Sequence, residues 1–232
     1  MTIYKILFLL FSLLFLPIQI CQENSQEVII PYEDILNESI RTIDPSKPMV
    51  AITFDDGPFY KHTTMILDTL KEYNARATFF VLGDHVENNP EILERMILEG
   101  HEIGNHTYSH YQLTSISENL IKDEIEKTQE IIYSVIKQYP SVLRPPYGDY
   151  NETVINHLGE MRMVKWNVDS EDWRSKNTKV IVEKVMSNVK DRAIILLHDQ
   201  YITTVQATAI LIPKLIEEGY QLVTVSELYS FE

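Results

Sequence analysis

Residues 49–58 read MVAITFDDGP, an apolar run that leads directly into two adjacent carboxylates and a Gly-Pro pair. The run 49–54 has the length and hydrophobicity of a buried strand, and Gly57-Pro58 indicates the turn that follows it. The two carboxylates, Asp55 and Asp56, therefore stand where the strand ends. In barrels of alternating strands and helices, the chemistry gathers at the carboxyl ends of the strands. This stretch predicts a buried strand and, at its end, one part of a functional site.

Further apolar runs along the chain also read as strands, and helical patterns lie between them. Strands are predicted at 77–81, 102–104, 142–144, 161–166, 193–197 and 221–225. Helices are predicted at 63–73, 90–99, 117–139, 178–189 and 204–218. Alternating strands and helices indicate an α/β fold with a parallel sheet. About seven such units favour a barrel over an open sheet.

The clearest helical pattern is the one at 117–139. Apolar residues recur in it at helical spacing, namely Ile121, Ile125, Ile132 and Ile136. Ser117 stands where a residue would cap the start of the helix. In the helix predicted at 204–218, Pro213 is expected to cause a kink, because proline cannot donate a backbone hydrogen bond.

Composition limits the class of protein. The chain has 232 residues, of which 44% are hydrophobic, and a formal net charge of −14. This length and hydrophobicity fit one globular domain with a sizeable core. Nucleic-acid binding usually needs basic patches, so the acidic balance argues against a nucleic-acid partner.

The N-terminus has the pattern of a signal peptide. Lys5 precedes the apolar run 6–16, and polar residues follow Cys21, the only cysteine of the chain. A membrane span needs about 20 apolar residues, so this run is too short for a comfortable one. We therefore expect a signal peptide at 1–21, an arm or linker at 22–47, and a protein that is secreted or held at the cell wall. The cleavage point lacks an A-x-A pattern, so an uncleaved anchor stays open as the alternative.

Two imidazoles and a carboxylate provide the elements of a metal site. His106 and His110 are four residues apart, so on a helical turn they would share one face and bind one ion. With Asp56 they offer two nitrogens and one carboxylate oxygen, a set that suits zinc with an open position for water. In the Asp-Asp pair, one carboxylate can bind a cation while the other accepts a proton. The alternative for the histidine pair alone is two unrelated surface side chains.

Three more polar segments follow predicted strands, namely RPPYG at 144–148, DSEDW at 169–173 and LLHD at 196–199. In the first of them the prolines stiffen the loop, and the Tyr147 N–H would be free to stabilise an oxyanion. Arg144 can pair with Asp55 and keep it ionised. Taken singly, the three segments are better explained as a rigid turn, an acidic surface loop and a structural histidine.

Together, in their order and spacing, the five segments resemble those of the polysaccharide deacetylase family, also called carbohydrate esterase family 4. The resemblance extends from about residue 50 to residue 224, and its most specific parts are 53–58, 106–110 and 144–148. It implies a distorted (β/α) barrel of about seven parallel strands, with the catalytic domain at 48–232. It also implies a metal-dependent hydrolase that removes N-acetyl groups from N-acetylglucosamine units of a polysaccharide, with chitin or chitin oligomers as the expected substrate.

The same resemblance implies a role for each polar position. The expected ligands of a Zn²⁺ ion, or of Co²⁺ or another divalent metal in its place, are Asp56, His106 and His110. The expected catalytic residues are Asp55 as general base, His198 as general acid, Asp172 to orient it, Arg144 to hold Asp55, and Tyr147 with its N–H at the oxyanion. The expected substrate contacts are Pro146 and, around the acetyl methyl group, Trp173 and Leu196.

Several alternatives stay open at this point. The same site would serve a peptidoglycan N-acetylglucosamine deacetylase or an acetylxylan esterase, because the motifs do not distinguish these substrates. A non-catalytic protein that binds a wall polysaccharide is the alternative of another class. We expect a monomer with no nucleic-acid partner and no membrane segment beyond the signal peptide.

Overall fold

A computed structural model describes residues 42–231 of the chain. Within this range, eight strands pair in parallel to form one sheet. They are β1 (Met49–Asp55), β2 (Thr78–Val81), β3 (Glu102–Asn105), β4 (Val142–Leu143), β5 (Arg162–Met163), β6 (Val168–Asp169), β7 (Ala193–His198) and β8 (Gln221–Leu222).

The helices of the described range alternate with these strands. They are α1 (Tyr60–Glu72), α2 (Gly83–Asn88), α3 (Pro90–Leu98), α4 (Glu118–Ile136), α5 (Glu152–Asn156), α6 (Asp172–Ser175), α7 (Thr178–Asn188), α8 (Ile202–Glu217) and α9 (Val225–Tyr229). The five predicted helices are confirmed within a few residues as α1, α3, α4, α7 and α8. Ser117 is the N-cap residue of α4, but its side chain makes no capping hydrogen bond. Helix α8 continues through Pro213 without interruption.

The sheet curls on itself. Its strands run in the order β5-β4-β3-β2-β1-β7-β6, and β8 pairs with the first residues of β1. Strands β5 and β6 thus lie at the two ends of this path, yet only residues 164–167 connect them. Five residue steps can span at most about 18 Å, so the two edges of the sheet must approach each other. The result is a curled half-barrel, which confirms the predicted distorted barrel of about seven parallel strands.

Two of the predicted strands are shorter in the structure by three residues or more. The strand predicted at 161–166 retains only Arg162 and Met163, because the chain then crosses to β6, which the apolar pattern does not predict. The strand predicted at 221–225 ends at Leu222. It stops there because Thr224 begins α9 in a reciprocal capping box, in which its hydroxyl accepts the Glu227 N–H and the Glu227 carboxylate accepts the Thr224 N–H.

Side chains alternate along β1 between two different environments. The side chains that pack against the helices around the sheet are Val50, Ile52 and Phe54. The others lie on the opposite, inner face and change from apolar to polar along the strand, in the order Met49, Ala51, Thr53 and Asp55. The strand therefore anchors the core at its start and delivers a carboxylate to the inner face at its end.

Residues 42–47, the end of the predicted arm, are irregular but attached to the domain. Ile43 packs against the inner core. The Asp44 N–H donates to Gln221 Oε1 at 2.9 Å, and Gln221 Nε2 donates to the Asp44 carbonyl at 2.8 Å. The predicted signal peptide and residues 22–41 of the arm lie outside the described residues, and the domain boundary at residue 48 stays a prediction. Within 42–231, no helix has the length and hydrophobicity needed to cross a membrane.

Candidate active site

The parallel register places polar residues from distant parts of the sequence side by side. Strands β1 and β7 are neighbours, and Asp55 pairs with His198 at their carboxyl ends. Two residues earlier on β7, Leu196 pairs with Thr53 on β1 and with Asp169 on β6. The carboxyl edge of the sheet therefore collects the segments predicted to carry the chemistry, as expected for a barrel.

A cavity of about 420 Å³ opens at this edge. Its walls are formed by Asp55, Asp56, His106, His110, Tyr147, Trp166, Asp169, Trp173, Leu196, His198 and Gln200. All three predicted metal ligands, the predicted base and the predicted acid are among these residues. The fully buried Arg144 and Asp172 lie behind the wall, in contact with Asp55 and His198 respectively.

Three donor groups converge on one point of the cavity. Asp56 Oδ1 lies 3.5 Å from His106 Nε2 and 3.3 Å from His110 Nε2. The ligand atoms of the three residues all lie within 4.8 Å of one another. His106 Nδ1 is 2.7 Å from the Arg144 carbonyl, to which it donates, so that Nε2 keeps its lone pair for the cavity. Asp56 Oδ1 is buried without a hydrogen-bond donor. Two nitrogens and one orphaned oxygen fit a divalent cation such as zinc.

The charge and orientation of Asp56 suit this role. Burial raises its pKa, but the close approach of His106, 3.5 Å away, and the charges of the nearby histidines outweigh burial and lower the pKa to about 2. The group is therefore a carboxylate at neutral pH. Gln200 Nε2 donates to Asp56 Oδ2 at 3.0 Å, and His85 Nδ1 lies 2.7 Å from the Asp56 carbonyl. Neither Gln200 nor His85 is predicted from the sequence, where no motif marks them as contacts of Asp56.

The predicted helical turn between His106 and His110 is wrong. The segment is an irregular loop, in which Thr107 has φ 72° and His110 has φ 60°. Both values lie in the left-handed region, which interrupts a right-handed helix. The two imidazoles still meet, with ring centroids 5.1 Å apart, because the loop folds back on itself.

Arg144 and Asp55 form the contact predicted from the sequence. Arg144 is fully buried, and its Nη1 donates to Asp55 Oδ1 and to Thr53 Oγ1, both at 2.7 Å. The guanidinium lies 4.1 Å from the ring centroid of Phe80 and 5.6 Å from that of Trp166. A buried arginine held in this way supplies a fixed positive charge beside the Asp55 carboxylate.

His198, which also lines the cavity, is bound to a fully buried carboxylate. Asp172 accepts hydrogen bonds from His198 Nδ1, His198 N and Thr204 Oγ1, each at 2.7 Å, and from Trp173 N at 2.8 Å. Burial lowers the pKa of His198, but the hydrogen bond and charge of Asp172 outweigh it and raise the pKa to about 9. The imidazolium is therefore the favoured form in the metal-free protein at neutral pH.

The turn that presents Asp56 rests on a second buried carboxylic acid. A Cβ atom at Gly57 would lie 2.1 Å from Asp199 Oδ2, so only glycine fits at this position. Thr63 Oγ1 donates to Asp199 Oδ2 at 2.5 Å and accepts the Phe59 N–H at 2.7 Å. Burial raises the pKa of Asp199 to about 8, although the Thr63 hydrogen bond opposes this. Glycine in the DDGP motif is therefore required by packing against Asp199.

Of the residues predicted to contact the substrate, some line the cavity and one does not. Trp173 is 49% exposed and lines the cavity together with the buried Leu196. Tyr147 also lines the cavity, and its backbone has a left-handed conformation with φ 61°. Its ring packs against the ring of His110, with the two centroids 4.8 Å apart. Pro146, by contrast, is buried and is not part of the cavity wall. Trp166 lines the cavity without having been predicted, since it follows a strand that is shorter than its apolar pattern indicates.

Comparisons with known proteins agree with this arrangement. A family model described as polysaccharide deacetylase matches residues 42–166. The chain is 44% identical over 208 residues to the peptidoglycan-N-acetylmuramic acid deacetylase PdaC of Bacillus subtilis, a match that covers 89% of this chain and 43% of that protein. It is 41% identical over 180 residues to the peptidoglycan-N-acetylglucosamine deacetylase PgdA of Listeria monocytogenes, with coverages of 78% and 38%.

The fold is similar as well. The solved structure of the peptidoglycan deacetylase PdaC from Bacillus subtilis matches with a TM-score of 0.80 and 45% identity, and the match covers 82% of this chain and 93% of that one. The chain spans about four-tenths of the length of the two curated relatives. Because the family model matches more than half of the residues and the fold carries the five segments to one cavity, the chain belongs to the polysaccharide deacetylase family.

Proposed function

We propose that this protein is a metal-dependent hydrolase that removes N-acetyl groups from the amino sugars of peptidoglycan. The observation that carries the proposal is one cavity that brings together a candidate metal site, made of Asp56, His106 and His110, and two proton-transfer groups. Asp55, held by Arg144, is the base. His198, paired with Asp172, is the acid. This arrangement meets the three needs of amide hydrolysis, which are an activated nucleophile, support for an oxyanion and an acid for the leaving nitrogen.

Each of these residues has its own role in the reaction. Asp56, His106 and His110 would hold a zinc ion, which when bound supplies Lewis-acid chemistry toward water and the acetyl carbonyl. Asp55 takes a proton from the water whose oxygen attacks the acetyl carbon. As the carbon–nitrogen bond breaks, His198 gives a proton to the nitrogen, so that the products are acetate and a free amine.

Other residues of the cavity orient the acetyl group. The Tyr147 N–H is proposed to stabilise the developing oxyanion. Trp173 and Leu196 are proposed to enclose the methyl group. A methyl pocket is worth only about 1–3 kcal/mol of discrimination, so it favours acetyl over larger acyl groups without selecting a polymer.

The choice of peptidoglycan is supported by the relatives, which are named as deacetylases of its N-acetylglucosamine and N-acetylmuramic acid. The chitin preference expected from the sequence has no such support, and the peptidoglycan alternative is the better one. A wall substrate requires an extracellular location, which agrees with the signal-peptide pattern at 1–21. We also propose that the enzyme acts as a monomer.

The function is tested by acetate release from a panel of polymers. We expect release from peptidoglycan to exceed release from chitin oligomers and from acetylxylan, with mass spectrometry of the digested product showing which amino sugar loses its acetyl group.

Strong chelation should abolish release, and added zinc or cobalt should restore it. Full activity in exhaustively chelated protein, verified by metal analysis, would contradict metal dependence. Binding to the polymer without acetate release, with zinc present, would favour the non-catalytic alternative.

Export is tested separately. We expect the secreted protein to begin near Gln22, because the apolar run after Lys5 has the length of a signal peptide and is shorter than a membrane span. N-terminal sequencing of the secreted protein measures this directly. Recovery of a membrane-bound form that begins at Met1 would show an anchor instead.

A further inference from the structure

The loop 106–110 carries two of the three candidate metal ligands but has no regular structure of its own. A short irregular segment is ordered only if its backbone groups find partners, because an unpaired N–H in a buried place costs free energy. Each N–H of this loop has an acceptor. The His106 N–H donates to the Val81 carbonyl at 3.0 Å, and the His110 N–H donates to Thr107 Oγ1 at 3.2 Å. The three N–H groups between them are bound by side chains from outside the loop.

The central contact is made by Glu124, a buried residue of α4 that is 4% exposed. Its Oε2 accepts the Tyr108 N–H at 3.0 Å and the Ser109 N–H at 2.7 Å. Two successive N–H groups that point at one anion form a small concave anion site in the backbone. A carboxylate in such a site makes stronger hydrogen bonds than a neutral acceptor would.

A second side chain attaches the same loop to the same helix. Asn105 is fully buried, its Oδ1 accepts the Thr107 N–H at 2.8 Å, and its Nδ2 donates to the Ile125 carbonyl of α4 at 3.0 Å. Helix α4 thus holds the loop directly through the side chain of Glu124 and indirectly through Asn105, which is bound to an α4 backbone carbonyl. Glu124 itself does not line the cavity.

We propose that Glu124 is a positioning residue of the metal site, which holds the loop in its ligating shape before a metal ion binds. The inference rests on the proposed metal-dependent function. Its physical basis is preorganisation. If the loop is already ordered, the free energy of metal binding is not reduced by the entropy lost in ordering it. Residues that orient metal ligands typically change metal affinity by about 10–100-fold when they are replaced.

The test is Glu124→Gln in the full chain, which keeps the size of the side chain but replaces the charged acceptor with an amide. We expect the Kd for zinc, measured by chelator competition, to rise by about 10–100-fold. In the metal-free variant, the amides of Tyr108 and Ser109 should exchange with solvent faster than in the metal-free wild type. The rise in Tm on adding zinc should also be smaller, which separates positioning from general stability. A residue that only stabilises the fold would lower the Tm of the metal-free and zinc-bound forms equally.

Two variants of the same helix serve as controls. Glu126→Gln changes an exposed carboxylate, and Ile132→Val removes one methyl group from the hydrophobic core. Both should keep the zinc affinity of the wild type, although Ile132→Val should lower the Tm of both forms. An unchanged zinc Kd in Glu124→Gln would overturn the proposal.

If Glu124→Gln does not fold, amide exchange in the metal-free wild-type protein still tests whether the loop is ordered before zinc binds. Rapid exchange of the Tyr108 and Ser109 amides before zinc is added would mean that the loop is not preorganised, and slow exchange would support the proposal. These measurements involve no polysaccharide. A protein that binds zinc through a preformed loop but releases no acetate would therefore contradict the proposed function and leave this inference standing.

Discussion

Replacing Asp55 with Asn is expected to leave zinc bound to a folded protein while turnover falls by roughly 10²–10⁴-fold, the usual scale for losing a general base. Asparagine keeps the shape of the side chain but cannot accept a proton. Asp55 lies 3.7 Å from His106 Nε2 through Oδ2 and is held by Arg144 through Oδ1, so it borders the candidate metal site without being one of its three donors. The measurement is bound zinc per chain alongside acetate release.

The adjacent carboxylate provides the matched control. Asp56→Ala removes one of three donors, so zinc affinity should fall steeply and activity should be lost with the metal. His106→Ala should behave in the same way. If Asp55→Asn lost zinc while Asp56→Ala retained it, the two roles would be reversed. If all of these variants kept both zinc and activity, the cavity would not be the active site.

Asp172→Asn is expected to lower turnover by a similar factor, about 10²–10⁴-fold, because it weakens the general acid. The acid acts as the imidazolium. Burial lowers the pKa of His198, but the hydrogen bond and charge of Asp172, with the charges of Asp55 and Asp56, raise it to about 9 from an ordinary value of 6.5. Without the carboxylate the pKa falls, so the alkaline limb of the pH–rate profile should move to lower pH. The pKa itself is measured by NMR on metal-free protein, since a nearby divalent cation would lower it.

The same pair predicts how stability depends on pH in the metal-free protein. The pKa of His198 is higher in the folded state than in the unfolded chain, so its contribution is complete below about pH 6.5 and is lost as the pH rises through about 9. Asp172→Asn should therefore lower the free energy of unfolding more at pH 6 than at pH 10.

The control for the effect of Asp172→Asn on turnover and on the pKa of His198 is Thr204→Val. It removes one of the hydrogen bonds that Asp172 accepts but leaves the contact to His198 Nδ1 intact. Turnover and the pKa of His198 should change less than in Asp172→Asn. An unchanged alkaline limb in Asp172→Asn would contradict the assignment of His198 as the acid.

The strands that organise the site are predictable because their sequences are long and apolar. Strands β1 and β7 are buried on both faces, so each appears as a continuous hydrophobic run with a polar residue at its end. The end of β5 and the existence of β6 are not predicted, because the apolar pattern continues to residue 166, through the segment in which the chain crosses from one strand to the other. The pairing of Asp55 with His198 also depends on the order of strands in the sheet, which no local pattern contains.

The metal donors are predictable by residue type, but the shape that joins them is not. A spacing of four residues is typical of one helical face, yet His106 and His110 meet through a loop with left-handed residues. The contacts that maintain this shape come from Glu124 and Asn105, and those that orient Asp56 come from Gln200. They are tertiary contacts made by ordinary polar residues, so composition and spacing carry no signal for them.

The crossing at residues 164–167 has a consequence for how the enzyme can be rearranged or can diverge. Every candidate metal donor and the base precede it in the chain, whereas the acid and its supporting carboxylate follow it. The two portions are joined by the pairing of β1 with β7 and β8 and by a shared hydrophobic core. A genetic crossover at this junction would therefore exchange the acid and its carboxylate as one piece and keep all three metal donors, but it would also replace Gln200 and Asp199, which contact Asp56 and its turn.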